Sequence, residues 1–89
     1  MISRTTRRFR SAFSSLPGPI QIRARAAYRL FAADPNHPSL QFKKVHPTRP
    51  IYSARVGLAY RALAVRRDET LIWFWIGSHS DYDRLLRTL

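Results

Sequence analysis

Seven side chains between residues 43 and 82 stand out as candidates for handling phosphate or protons: Lys43, Lys44, Arg55, Arg61, His79, Asp81 and Tyr82. Arg55 closes an alternating run in which Ile51, Ser53 and Arg55 share one face and Tyr52, Ala54 and Val56 the other. Arg61 lies in the next run, between Tyr60 and Ala62. A guanidinium offers a planar fork of N–H donors that can hold two phosphate oxygens at once. Two of them on neighbouring strands could clamp one phosphate. They could equally be solvated cross-strand arginines, although exposed strand positions favour β-branched residues. Lys43 and Lys44, the only lysines, read either as point-charge phosphate contacts or as edge-strand lysines that deter aggregation.

His79 follows the most apolar stretch of the chain. Imidazole can take or give a proton near neutral pH, so it is the first candidate for general acid or base. Asp81 and Tyr82 follow closely enough to orient a substrate or share proton transfer. The plainer alternative is a loop histidine or a helix-cap contact. His37 and His46 lie in Pro-rich loops and read as structural or solvent-facing. The histidines lack paired i, i+4 spacing and there is no cysteine, so no metal site is expected. The chain has no Gly-rich phosphate loop, nucleophile elbow or zinc finger, and no cofactor is expected. Five scattered carboxylates are too few for a two-metal nuclease.

The balance of charge narrows the class of partner. Sixteen Lys+Arg face five Asp+Glu, a formal net charge of +11, beyond what solubility alone asks of a small chain. Such a surface attracts nucleic acid, acidic protein or an anionic membrane. No apolar run approaches the ~20 residues of a membrane span. The start, Met1-Ile2-Ser3-Arg4, lacks the apolar core of a signal peptide. A cytoplasmic protein with no membrane association is the expectation. The length, 89 residues, leaves room for one domain, 1–89.

These residues need a scaffold. Residues 4–15 read as a first helix, with Phe9, Ala12, Phe13 and Leu16 at helical spacing and Arg4, Arg7, Arg8 and Arg10 on the rest. Pro17-Gly18-Pro19 breaks it. Residues 20–33 read as a second helix, with Ile20, Ala24, Ala27, Tyr28 and Phe31 as its stripe and Arg23, Arg25 and Arg29 largely off it. A short turn between them suggests an antiparallel helical hairpin. Strands are expected over Phe42–Val45, Ile51–Val56, Leu58–Val65 and Leu71–Ile76. The last is continuously apolar, as in a strand covered on both faces, with Trp73 and Trp75 expected on one face as core. Ser80 or Asp81 would cap a last helix carrying Tyr82, Leu85, Leu86 and Leu89. The predicted class is α+β: an N-terminal helical hairpin packed on an antiparallel sheet of about four strands, with a short C-terminal helix.

The ordered set now has a familiar shape. It comprises the basic helical hairpin, the run Asn36-His37-Pro38-Ser39-Leu40-Gln41-Phe42-Lys43-Lys44, the strands Ile51–Gly57 and Tyr60–Leu63, and the ending Trp75-Ile76-Gly77-Ser78-His79-Ser80-Asp81-Tyr82-Asp83. Over nearly the whole chain it resembles the RelE/ParE superfamily, the toxins of bacterial type II toxin–antitoxin pairs. The resemblance implies a RelE-like sheet with the hairpin on one face. RelE-type members enter the ribosomal A site and cut mRNA without a metal, which stops translation. ParE-type members poison DNA gyrase instead. An acidic, partly disordered antitoxin wraps either kind, giving a hetero-oligomer.

Carried onto this chain, Arg61 matches the arginine that follows a tyrosine in RelE-type toxins. Arg55 loosely matches the basic residues of the preceding strand. His79 occupies the region where such toxins carry arginine or histidine, and Tyr82 is the nearest equivalent of a C-terminal tyrosine. On this reading the catalytic set is His79, Arg61, Arg55, Tyr82 and Asp81, and ribosomal RNA is held by Lys43, Lys44, Arg4, Arg7, Arg8, Arg23 and Arg25. A gyrase-inhibiting toxin without nuclease activity, or a non-catalytic RNA-binding module, are the alternatives.

Overall fold

Alternation in the second half of the chain builds the platform on which everything else rests. The protein, as a computed structural model describing residues 1–89, has the element order β1 (Ile2–Thr5), α1 (Arg7–Ser14), α2 (Gly18–Ala33), a 3-10 turn (Pro38–Leu40), β2 (Lys43–Lys44), β3 (Ile51–Val56), β4 (Tyr60–Arg67), β5 (Thr70–Ser78) and α3 (His79–Thr88). The strands form one sheet in the order β1-β5-β4-β3-β2. β2 to β5 are an antiparallel meander, and β1 joins the far edge parallel to β5. The α+β class and the helices-on-sheet layout are as expected from the sequence.

The fifth strand is the main departure. Residues 2–5 are extended and paired with residues 70–73 of β5, so Arg4 lies on an edge strand and not on the first helix. Thr6 then caps α1, its Oγ1 accepting from the Phe9 N–H at 3.0 Å. α2 begins earlier than the Pro/Gly break suggests, because Pro19 lies in its first turn, where a missing N–H costs nothing.

The sheet is covered on both sides. On one face, Ala54, Val56, Ala62, Ala64, Leu71, Trp73 and Ile76 meet Phe31 and Leu40, with Phe9, Phe13, Ala24 and Ala27 of the two helices packed against them. Phe31 stands edge-on to Phe42 and Trp73, with ring centroids 5.0 and 5.6 Å apart. On the opposite face, Ile51 and Leu63 pack with Tyr82 and are flanked by Trp75, Leu85, Leu86 and Leu89. The two tryptophans therefore lie on opposite faces, contrary to their period-two spacing. The register between β4 and β5 shifts at Leu63/Ala64, where Leu63 pairs with Trp75 and Ala64 with Trp73. The extra residue, Phe74, is a bulge that inverts the alternation.

An open cleft of about 720 Å³ remains between the helices and the sheet. Phe9, Phe13, Tyr28 and Trp73 line it, and Arg4, Arg25 and Arg29 stand at its margin. The Arg25 guanidinium lies 5.0 Å from the Phe13 ring centre. No helix is long and apolar enough to cross a membrane.

Candidate functional site

Pairing register brings the candidate cations together. Arg55 is directly opposite Arg61, and Arg61 is directly opposite Gly77, two residues before His79. Arg55, Arg61 and Gly77 thus make one row across the sheet, on the α3 face. Like charges directly opposite on a sheet repel. Nothing in the chain neutralises them: its only ion pairs are His79–Asp83 and Arg84–Asp81, both on α3. Arg55 donates through Nε to the Gly57 carbonyl and Arg61 through a terminal nitrogen to the Tyr60 carbonyl, each at 3.0 Å. The remaining N–H donors of both forks stay free for an anion.

His79 is the first residue of α3, not a loop residue. Ser78 caps the helix, its Oγ accepting from the Asp81 N–H at 3.2 Å. The His79 N–H donates to the Ala59 carbonyl at 2.7 Å. That bond fastens the start of α3 to the β3–β4 turn and so to the arginine row. One helical turn on, Asp83 Oδ2 lies 3.1 Å from His79 Nδ1. A carboxylate there accepts from Nδ1–H and leaves Nε2 without a partner in the chain. The His79 side chain remains 45% exposed, so a substrate can reach it.

Two residues named from the sequence take other positions. Asp81 is turned to Arg84, its partner at i+3; it serves the helix start, where a carboxylate favours the dipole, rather than the histidine. Tyr82 is 7% exposed and its ring packs in the core under α3, 5.8 Å from the His79 ring and 6.5 Å from Trp75. Its ring meets the imidazole edge-on. The lysines also part company. Lys43 is paired with Ser53 and shares the arginine face, whereas Lys44 is paired with Tyr52 on the other. Arg7, Arg8, Arg23 and Arg25 are exposed on the helices, away from the row except for Arg23, whose side chain reaches the Gly57 turn.

Sequence reasoning missed Asp83 and Gly77. Asp83 was within reach: Ser78-x-x-Asp81 is a capping pattern, and starting the helix there sets His79 and Asp83 at i, i+4. Gly77 has a packing reason. A Cβ on it would come within 2.7 Å of the Trp75 ring, so only glycine lets the indole lie across this end of the row. No three His, Cys, Asp or Glu side chains gather into a metal-binding group.

Residues 19–84 match the model of the ParE-like toxin domain. The chain belongs to the ParE-like toxin family. Solved toxins of the RelE/ParE superfamily share its fold. The RelB–RelE antitoxin–toxin complex from Methanococcus jannaschii aligns with a TM-score of 0.72 at 22% identity, covering 91% of this chain and 96% of that one. YafQ from E. coli gives 0.72 at 9% identity, covering 90% and 94%. The intact E. coli RelBE toxin–antitoxin complex gives 0.63 at 11%, covering 85% and 93%. At these identities the likeness is one of fold. No curated protein sequence matches the chain.

Proposed function

We propose that this ParE-like chain is the toxin of a toxin–antitoxin pair and acts as a ribosome-dependent endoribonuclease on mRNA. The observation that carries the reading is the unneutralised Arg55–Arg61 pair in the same row as the start of α3, where His79 is oriented by Asp83. RNA cleavage by the 2′-hydroxyl needs a base for its proton, cations for the charge that builds on the phosphoryl oxygens, and an acid for the leaving 5′-oxygen. His79 Nε2 takes the proton as the 2′-oxygen attacks phosphorus. Arg55 and Arg61 hold the phosphoryl oxygens. The 5′-oxygen leaves with a proton returned by the imidazolium or supplied by solvent. The products are a 2′,3′-cyclic phosphate and a 5′-hydroxyl. Lys43, on the same face, and the exposed arginines of the hairpin hold ribosomal RNA by its phosphates.

The partner that silences such a toxin is an acidic antitoxin. Two of the solved structures named above are complexes of toxin with antitoxin. On this chain the apolar cleft beside α1 and α2, with arginines at its margin, has the chemistry to take an acidic amphipathic segment. A second reading, gyrase inhibition without nuclease activity, is favoured by the ParE-like family match.

Primer extension on an mRNA undergoing translation decides between them. New 5′ ends within codons, lost in His79→Ala but with ribosome binding kept, support the nuclease. Arg61→Ala should weaken both binding and cleavage. Intact mRNA together with lost supercoiling activity of added gyrase supports the second reading.

A further inference from the structure

A second cavity, about 470 Å³, opens on the far side of Arg55. Its floor is Ala26 and Leu30 of α2 with Leu40, its outer wall is Leu58 at the tip of the β3–β4 turn, and its polar rim is Arg23 and Arg55. The volume lies within the ~300–1,000 Å³ of small-molecule sites. Both guanidinium groups converge on Gly57. Arg55 Nε donates to its carbonyl at 3.0 Å. Arg23 lies across its α-carbon, 3.3 Å from where a Cβ would stand. No carboxylate pairs with either. Leu58, 77% exposed, is the most exposed of the large apolar side chains.

We infer that this cavity is a nucleotide subsite: its apolar floor and Leu58 take one base of the RNA strand, while Arg23 and Arg55 take the adjoining phosphate. Charge and shape each contribute. Two unpaired cations held on one glycine are costly unless an anion comes between them, and an apolar lining with a few placed cations suits a ligand that joins an apolar ring to a phosphate. Past Ser53 no strand pairs with β3 on that edge, and the 3-10 turn packs beside it. Arg55 lies both in the Arg55–Arg61 row and in the lining of the cavity, so a strand held at the row can continue past Arg55 into the cavity. Arg55 belongs to both places, which favours one continuous strand over an unrelated acidic peptide. The inference deepens the nuclease reading and rests on it for the identity of the strand.

The test uses the whole chain labelled with 15N and four probes: adenosine 5′-monophosphate, ribose 5-phosphate, adenosine and the peptide acetyl-Glu-Leu-Glu-amide. The nucleotide should shift the amides of Arg23, Leu30 and Leu58 and bind about tenfold tighter than ribose 5-phosphate, as burial of a ring face against aliphatic side chains would give. Leu58→Ser, a change at an exposed tip, should erase most of that difference. Arg23→Gln should weaken the nucleotide and ribose 5-phosphate alike and leave adenosine unchanged. Equal affinity for nucleotide and ribose 5-phosphate overturns the subsite, as does tighter binding of the peptide at the same amides. Cleavage of translated mRNA without discrimination between these probes sinks the subsite and spares the nuclease. Discrimination without cleavage does the reverse.

Discussion

Asp83 decides what His79 can do. With its Oδ2 at Nδ1, the carboxylate fixes one tautomer of the imidazole, as the aspartate does in a Ser-His-Asp triad. Asp83→Asn should therefore lower single-turnover cleavage at least about tenfold, with ribosome binding unchanged. Asp81→Asn, at a carboxylate turned to Arg84, should stay within about twofold of wild type in the same assay, since losing an exposed ion pair costs little. Gly77→Ala places a methyl group 2.7 Å from the Trp75 ring. Overpacking of that kind costs about 1–3 kcal/mol, measurable as a shift in the urea midpoint. The arginine pair was legible because alternation assigns faces, and Arg55 and Arg61 fall on matching ones. The role of Tyr82 was not legible, because an aromatic at helical spacing reads the same whether it meets substrate or core.

At the scale of elements, the sequence conveyed the meander and the helices but not their junctions. The Trp73/Trp75 pair shows why. Period-two spacing puts both on one face only if the strand is regular, and the bulge at Phe74 depends on how β4 pairs, which is a long-range fact. β1 was missed for a similar reason. Ile2-Ser3-Arg4-Thr5 has one apolar residue and no period, and its extended form comes from β5 alone. Its exposed residues resemble a helix start as readily as a strand. The cap of α3 joins fold and site. Ser78→Ala should cost about 1 kcal/mol, and fraying the first turn should displace His79, so cleavage should fall more than stability does. Equal cleavage by the variant and the wild type would mean that the Ala59 bond alone places the histidine.

For the whole molecule, charge and a small core act together. Only 13 of 89 residues are buried, and a domain of this size is marginally stable by itself. A partner that binds only the folded form raises its stability by mass action. An antitoxin added at a large excess over its dissociation constant should raise the melting temperature and leave the arginine-rich surface neutralised. Affinity for RNA should fall steeply with salt, since each neutralised phosphate releases counterions. Arg61→Ala should reduce the slope of that log–log plot by about one. An unchanged slope removes Arg61 from the phosphate contacts.

The parallel pairing of residues 2–5 with residues 70–73 also sets an order of events. Synthesis runs from the N-terminus at about 5–20 residues per second, so β1 is made first yet waits for the strand it joins. Until β5 emerges, the Ser3 hydroxyl lacks its donor, the Trp73 indole N–H, and β5 must be complete before Ser78 can start α3 and set His79 in place. Such long-range closure slows folding. The nascent chain therefore cannot assemble the row of Arg55, Arg61 and His79 until its last strand has been made.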